Sequence, residues 1–425
     1  MAYRIAGIDV HKKMLAVVVA DVEVEGEYEF AGQRFGSHPE ELRRLSAWLS
    51  QQGVEEVVMA STAQYWQPVW GALERSGKPV CHRREGAGGM SGGLPLAQAQ
   101  SNRGRKGGKK DFPDAERLVK RLAQELILSF VPEAEQRLWR AVTRRKYQLT
   151  RNRVQLPNRL ESLLEEAHSK LSSLVSDLLG VSAPALAEGE TNPLALAALA
   201  DQRLRASEAQ LTDALGACTE LHPVYRRLLP MALPELPFLE QPRDQREQEI
   251  AALLRQHEDA VQRLAEVPGL GVDSAQQIIA EVGATAATFA SAQTLASWVG
   301  ACPGDEESAE VSKSHRSPKG SRHMRRLLNQ AANAAVRTKG SIFQIVYRRL
   351  VPRLGHHHTI GAIAHRLGRL IWLILHRGVR YEERGPAVSQ RSLRQRTRKM
   401  IRELQKLGYR VERLSVVANA PAPAQ

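Results

Sequence analysis

Acidic residues are missing from one long stretch of this 425-residue chain. Between Val311 and Tyr381 there is no Asp or Glu, against fifteen Lys or Arg. A solvated surface normally mixes both signs, so this stretch is not ordinary surface. Cysteine is nearly absent as well. Cys81, Cys218 and Cys302 lie far apart and without metal-ligand spacing, which excludes a disulfide framework and a zinc site. Aromatics make up only 5%. No run of about 18 apolar residues occurs, so no membrane span is expected. The first residues run into a strand and lack a signal peptide's apolar core and cleavage site. These absences leave a cytoplasmic protein with reduced thiols. What is present is positive charge: the net charge is +14 and the pI about 9.9. That balance favours a polyanionic partner, nucleic acid or an anionic membrane surface. The length suits about three domains, and 43% hydrophobic residues can fill their cores.

The N-terminal third alternates strand and helix signals. Ile5–Asp9 reads as a buried strand, Met14–Asp21 as a second and Tyr28–Phe35 as a third. Pro39–Gln52 has Leu42, Leu45 and Leu49 at helical spacing, and Gly53 ends it. Val54–Met59 reads as another buried strand, Pro68–Ser76 as a helix and Leu94–Gln100 as a further strand. Three strands, a helix and another strand open a ribonuclease-H-like fold, a mixed sheet flanked by helices. Asp9 falls inside the first strand, where ionising a lone carboxylate costs several kcal/mol. Either it is solvated at the strand end or a divalent cation neutralises it.

Gly86–Gly93 is glycine-rich. Ser101–Lys110 is glycine-rich and basic, and Arg103, Arg105, Lys106, Lys109 and Lys110 there, with Lys12 near Asp9, are candidate phosphate contacts. Asp111-Phe112-Pro113-Asp114 follows at once. Asp111 suits an N-cap and Pro113 a first helical turn. Asp111 and Asp114 are three apart, so both can lie on one helix face. Two carboxylates there can simply cap a helix. Packed beside the end of the Asp9 strand, they would make a three-acid cluster of the kind that holds magnesium in phosphoryl transfer.

With Gly7-Ile8-Asp9-Val10-His11-Lys12, Met59-Ala60-Ser61-Thr62-Ala63-Gln64-Tyr65-Trp66 and Lys110-Asp111-Phe112-Pro113-Asp114-Ala115, the sequence resembles transposases of the insertion sequence 110 family, DEDD-type recombinases whose N-terminal domain is RuvC-like. The likeness runs over roughly residues 3 to 383. It implies a metal site of four acids in the order Asp, Glu, Asp, Asp, binding Mg2+. Asp9, Asp111 and Asp114 match the first, third and fourth. The second is expected just after the strand ending at Met59, where this chain has Ala60, which binds no metal. Neither Ser61, Thr62 nor Glu56 is a convincing substitute.

From Pro132 to about Leu179 the Leu spacing (Leu149, Leu156, Leu160, Leu163) predicts a long helical or coiled-coil arm kinked at Pro157. Leu194–Leu215 and Pro242–Glu266 read as further helices, with Pro242 in a first turn. The stripe is a core or a dimer seam. The resemblance implies self-association, as dimer or tetramer, and binding of a structured noncoding RNA.

Val267–Gly283 reads as hairpin then helix. Gly269 and Gly271 expose backbone amides at a helix start, as in a helix-hairpin-helix that grips DNA backbone. Further on, the resemblance implies a loop with a nucleophilic serine, and Ser308 matches it by its distance from Cys302-Pro303-Gly304. Glu310 stands where the family commonly has glycine. Lys313, Arg316, Lys319, Arg322, Arg325 and Arg326 supply cations for a phosphate. The helix from Arg322 carries an apolar face of Leu327, Leu328, Ala331 and Ala335. His356-His357-His358 reads as a basic loop before a helix over Ile360–His376. Ser389–Arg413 reads as a basic helical tail.

The resulting expectation is an α/β plus α protein: a RuvC-like domain over residues 1–130, a helical arm over 131–260, a mostly helical domain over 261–385 and a basic tail over 386–425. Its expected function is DNA strand cleavage and exchange between element ends and target, using Asp9, Asp111, Asp114 and Ser308, guided by RNA. The alternatives are a nucleic-acid-binding protein with an impaired site at Ala60, or a metal-dependent nuclease in which water, not Ser308, attacks.

Overall fold

The computed structural model describes residues 3–22, 28–61, 64–76, 96–97, 111–122, 128–129, 131–166, 173, 192–198, 206–216, 224, 231, 235–303, 306–308, 311–314, 317–383 and 390–411. They fall into two compact units. The first spans Met1–Val261 with Ala275–Thr294 and Leu375–Arg377; the second takes Gln262–Ser274, Leu295–Ile374 and Gly378–Gln425.

The first unit is built on a mixed sheet. Its strands are β1 (Tyr3–Val10), β2 (Met14–Val22), β3 (Phe30–Gly36), β4 (Glu56–Ser61), β5 (Leu96–Ala97) and β6 (Leu128–Ser129), in the order β3-β2-β1-β4-β5-β6. β1 pairs antiparallel with β2 and parallel with β4, with Asp9 opposite Ala60. Helices α1 (Pro39–Gln51), α2 (Trp66–Arg75) and α3 (Asp111–Leu122) cover the sheet. Side chains alternate between the two faces of a strand, and the cores follow that alternation. Ala6, Ile8 and Val10 of β1 pack with Leu42, Leu45, Leu49, Val69 and Trp70 from α1 and α2. Ile5 packs on the opposite face with Ala115 and Val119 of α3, and Val58 and Ala60 of β4 pack there with Leu118. Gly7, Asp9 and His11 share the parity of Ile5 and so face α3.

Several expected boundaries shift. The fourth strand runs to Ser61, so Ala60 lies inside it rather than after it. The expected Leu94–Gln100 strand is described only at Leu96–Ala97. Asp111 is the first residue of α3 itself. The glycine-rich 86–93 segment and basic 101–110 segment, with Arg103, Arg105, Lys106, Lys109 and Lys110, lie outside the described residues.

The arm is α4 (Ala134–Glu166), a helix of 33 residues that continues through Pro157. It packs against α7 (Glu235–Leu253). Trp139 meets His257 edge-on at 5.1 Å and Lys146 reaches Glu247 at 3.5 Å, so the two run in opposite directions. Leu149, Leu156 and Leu160 are buried, as are Ile250 and Leu254. The Leu stripe over 149–160 is therefore core within one chain. Between them, α5 (Pro193–Ala198) and α6 (Glu208–Gly216) replace the single helix expected over Leu194–Leu215. Pro242 lies inside α7, not in its first turn: the helix starts earlier, at Glu235. A 3-10 turn, Arg255–His257, leads into α8 (Glu258–Ala265).

Beyond α8 come α9 (Val272–Val282), α10 (Ala292–Val299), the hairpin β7 (Glu306–Ser308) and β8 (Val311–Ser314), α11 (Arg322–Ala335), α12 (Ile342–Arg377) and α13 (Gln390–Lys406). Glu281 of α9 is 3% exposed and holds Arg144 of α4 through paired bonds of 2.7 and 2.8 Å. Arg140 donates to the Ala280 carbonyl at 3.1 Å. Burial, opposed by the Glu281 charge, lowers the Arg140 guanidinium to about 10, so it remains charged at neutral pH.

The histidine run does not form a loop. His356, His357 and His358 lie within α12, directly after Gly355, whose φ of 73° and ψ of 171° break the helical run. Pro352 lacks the N–H that would continue the ladder. Tyr347 and His356 share a hydrogen bond of 2.9 Å across the break.

Candidate functional site

The chemistry-bearing residues of the first unit gather where β1 ends against the start of α3. Helix α3 forms because Asp111, Pro113 and Asp114 suit a first turn, while Ala115, Leu118 and Val119 make one apolar face. It lies unusually close to β1. A Cβ on Gly7 would meet the Ala115 carbonyl oxygen at 2.4 Å and Val119 Cγ2 at 2.9 Å. Phe112 lies over Gly32, and Arg34 sits over the Phe112 ring at 5.4 Å. These contacts set the helix start beside the strand.

His11 Nε2 is 3.0 Å from Asp9 Oδ2 and 3.4 Å from Asp111 Oδ1. One ligand atom from each of Asp9, His11 and Asp111 lies within 4.8 Å of the others. Arg34 approaches the other side of Asp111 at 3.8 Å. Asp114 is held by Arg117 at 2.8 Å. Burial raises the Asp9 pKa above the ordinary carboxylate range, helped by the charges of Asp114 and Asp111 and opposed by His11. The site therefore concentrates negative charge that Asp9 alone cannot carry cheaply. His11 Nε2 is enclosed, and no hydrogen bond satisfies it. Two carboxylate oxygens and an enclosed imidazole nitrogen fit a divalent cation. Lys12 is exposed, and its carbonyl accepts from Ser37 Oγ at 3.0 Å.

The other expected residues belong to the second unit. Ser308 ends the short strand β7 and pairs with Val311; it stands in a hairpin, not an open loop. Two long-range bonds pin the segment leading to it. Arg325 donates to the Gly300 carbonyl at 2.9 Å and to that of Pro318, and His365 Nδ1 lies 2.8 Å from the Ala301 carbonyl. Ser321 caps α11. Lys319, Gly320, Arg322, Arg325, Arg326, Asn329 and Gln330 line a cleft of about 610 Å³ at that helix start. A basic cleft at a helix N-terminus favours anions. Lys313 lies on β8, while Arg316 and Glu310 lie outside the described residues.

Gly269 has another task than phosphate contact: a Cβ there would meet the Ala331 carbonyl at 2.3 Å and the Ala335 nitrogen at 2.6 Å. It lets the turn before α9 lie against α11. Gly271 faces open space.

Sequence reading missed His11 and His365. The strand period carried a signal for His11, two residues after Asp9 and on the same face. Nothing in the sequence marked His365, because its partner is 64 residues away.

An acidic cluster at the margin of a mixed sheet and a strongly basic helical unit together mark a DNA-processing enzyme. Residues 6–169 match a family model for DEDD-type IS110 transposases, and residues 261–348 match the family described as Transposase IS116/IS110/IS902. Together the matches take in more than half of the chain, and it belongs to the IS110 family of transposases. The family implies DNA as partner and a divalent metal as cofactor. No curated protein sequence matches it. Among the described residues, no helix is long and apolar enough to cross a membrane.

Proposed function

We propose that this chain excises and inserts a mobile DNA element through two half-sites, an RuvC-like metal half and a serine half. The observation that carries the reading is the approach of Asp9 and Asp111, 102 positions apart in the sequence, to one histidine nitrogen. Antiparallel strands β1–β3 joined in parallel to β4 support the RuvC-like assignment. Asp9, Asp111 and Asp114 would hold the divalent ion, Mg2+ by family resemblance. A bound ion supplies positive charge against the phosphate oxygens as charge develops there.

In the serine half, Ser308 Oγ attacks the phosphorus of a DNA phosphodiester. The Oγ–P bond forms as the P–O bond to the departing deoxyribose oxygen breaks. The serine proton leaves, and the departing oxygen takes up a proton. The phosphodiester energy is conserved in a phosphoserine link that a second DNA hydroxyl reopens. Lys313, Arg316, Lys319, Arg322 and Arg326 hold the phosphates, and Arg325 holds the loop. The turn between α8 and α9, with Gly269 and Gly271, supports a helix-hairpin-helix contact to DNA backbone. The basic 101–110 segment suits a structured noncoding RNA that pairs with donor and target. The two halves complete each other within one chain or across a dimer or tetramer.

Ala60 favours a second reading, a nucleic-acid-binding protein whose metal half is impaired. It stands opposite Asp9 in the strand register, where a Glu would reach the same site. Adduct trapping separates the readings. The protein is incubated with a divalent metal, element-end DNA and co-purified RNA, and denaturation-resistant DNA on the chain is measured. An adduct lost in Ser308→Ala supports the recombinase. An adduct seen only in Ala60→Glu supports the impaired copy. Cleavage without adduct in Ser308→Ala and the parent alike overturns the serine step.

A further inference from the structure

We infer that His11 is a nitrogen ligand of the divalent ion, and that this chain's site selects first-row transition ions such as Mn2+ over Mg2+. The inference rests on the metal half of the proposed function and deepens it.

Position is the first argument. Asp9 and His11 are two apart at the end of β1, so both side chains leave the same face, toward α3. Across the sheet, the neighbour of Asp9 on that face is Ala60, a single methyl. The space beside Asp9 that a longer side chain from β4 would enter is open to an imidazole from β1 instead.

The second argument is the state of Nε2. A histidine serving only as counter-ion would donate a well-aligned hydrogen bond to one carboxylate. Here Nε2 lies 3.0 Å from Asp9 and 3.4 Å from Asp111, yet it is enclosed and bonded to neither with good geometry. A nitrogen placed between two carboxylate oxygens, without a hydrogen bond of its own, has the placement of a ligand that shares an ion with both. All three ligand atoms lie within 4.8 Å of one another. Metal–ligand bonds of about 2.0–2.2 Å allow ligand pairs up to about 4.4 Å apart. Small side-chain rotations close the difference.

The consequence is chemical. Mg2+ takes hard oxygen donors and keeps most of its waters. Imidazole is a softer donor that suits first-row transition ions. Exchanging a carboxylate for an imidazole also leaves the site one negative charge short, which weakens Mg2+ further. Asp114, held by Arg117, does not make up the difference.

The test uses the full-length protein stripped of metal. Mn2+ is titrated and followed by electron paramagnetic resonance, Mg2+ is used as competitor, and pulsed measurements read ¹⁴N coupling to bound Mn2+. The parent is compared with Asp9→Asn, His11→Ala and His11→Gln, each checked for folding by metal-free thermal unfolding. Asp9→Asn identifies Mn2+ at this site, as against Mn2+ on the exposed His356–His358 run. The expected result is Asp9-dependent Mn2+ with imidazole ¹⁴N coupling and a clear preference over Mg2+. His11→Ala abolishes the coupling and lowers Mn2+ affinity roughly tenfold or more. His11→Gln, an oxygen donor, restores binding but not the preference. Asp9-dependent Mn2+ without ¹⁴N coupling, or an unchanged preference in His11→Ala, overturns the inference and leaves the metal half standing. No Asp9-dependent binding of either ion overturns both.

Discussion

Replacing Gly7 by alanine tests whether the contact between β1 and α3 sets the acidic site. A Cβ at residue 7 would sit 2.4 Å from the Ala115 carbonyl oxygen, and real Cβ contacts essentially never fall below 3.0 Å. The obstacle is helix backbone, which cannot rotate aside. Helix α3 must therefore retreat by about 0.6–1 Å at Ala115, about one turn from Asp111. Overpacking of this kind costs about 1–3 kcal/mol. Because a packed helix moves as a body, Asp111 shifts relative to Asp9 and His11. A metal site holds its ligand distances to about 0.2 Å, so the shift should lower Mn2+ affinity by roughly tenfold, equal to about 1.4 kcal/mol. The assay is urea unfolding with and without Mn2+ on the same preparations. Gly53→Ala serves as control: Gly53 has φ of 65° but nothing within 4 Å, so it should lose about 1 kcal/mol of stability and no metal affinity. Parental Mn2+ affinity in Gly7→Ala would show that the position of α3 does not govern the site.

Glu281→Gln should destabilise the first unit by about 3 kcal/mol, the low end for breaking a buried pair because Arg144 is partly exposed; a loss under about 1 kcal/mol in denaturant unfolding would contradict it. Asp9→Asn should raise the unfolding temperature of the metal-free protein while abolishing stabilisation by metal. The Asp9 pKa is raised chiefly by burial, so the folded state holds its proton more tightly than the unfolded one. Stability of the metal-free parent should then fall as pH rises from the ordinary carboxylate value through the raised one, and Asp9→Asn should flatten that slope. Arg322→Ala with Arg326→Ala should weaken DNA binding across sequences and reduce the slope of log K against log salt by about 2. Arg325→Ala should instead lower thermal stability, because its guanidinium holds the Gly300 and Pro318 carbonyls.

Much of this protein was written in local pattern. Alternating Ile, Val and Ala made β1 and β2, and Leu42, Leu45 and Leu49 made α1, because burying one face at a strand or helix period is a local property of the chain. The family was legible for a related reason: its motifs are short segments whose order survives in one dimension. Asp9 and Asp111 were identified that way. Where helices start and stop was less legible, since packing overrides local preference. The Pro242 region is helical from Glu235, and α4 passes through Pro157 while packed against α7.

Tertiary structure decided the rest. The pleat put His11 on the Asp9 face, but only the close approach of α3, permitted by Gly7, brought Asp111 within 3.4 Å of its nitrogen. Pairing of β1 with β4 put Ala60 directly beside Asp9. Gly269, read from sequence as a phosphate cradle, has its missing side chain explained by the backbone of α11. The arm's Leu stripe found its partner in α7, about a hundred residues on. The sequence by itself determined which residues carry charge, which faces are apolar and which family the chain resembles. Which charged groups meet was decided by packing, because distances across a sheet or between helices depend on the volumes of side chains far apart in the chain.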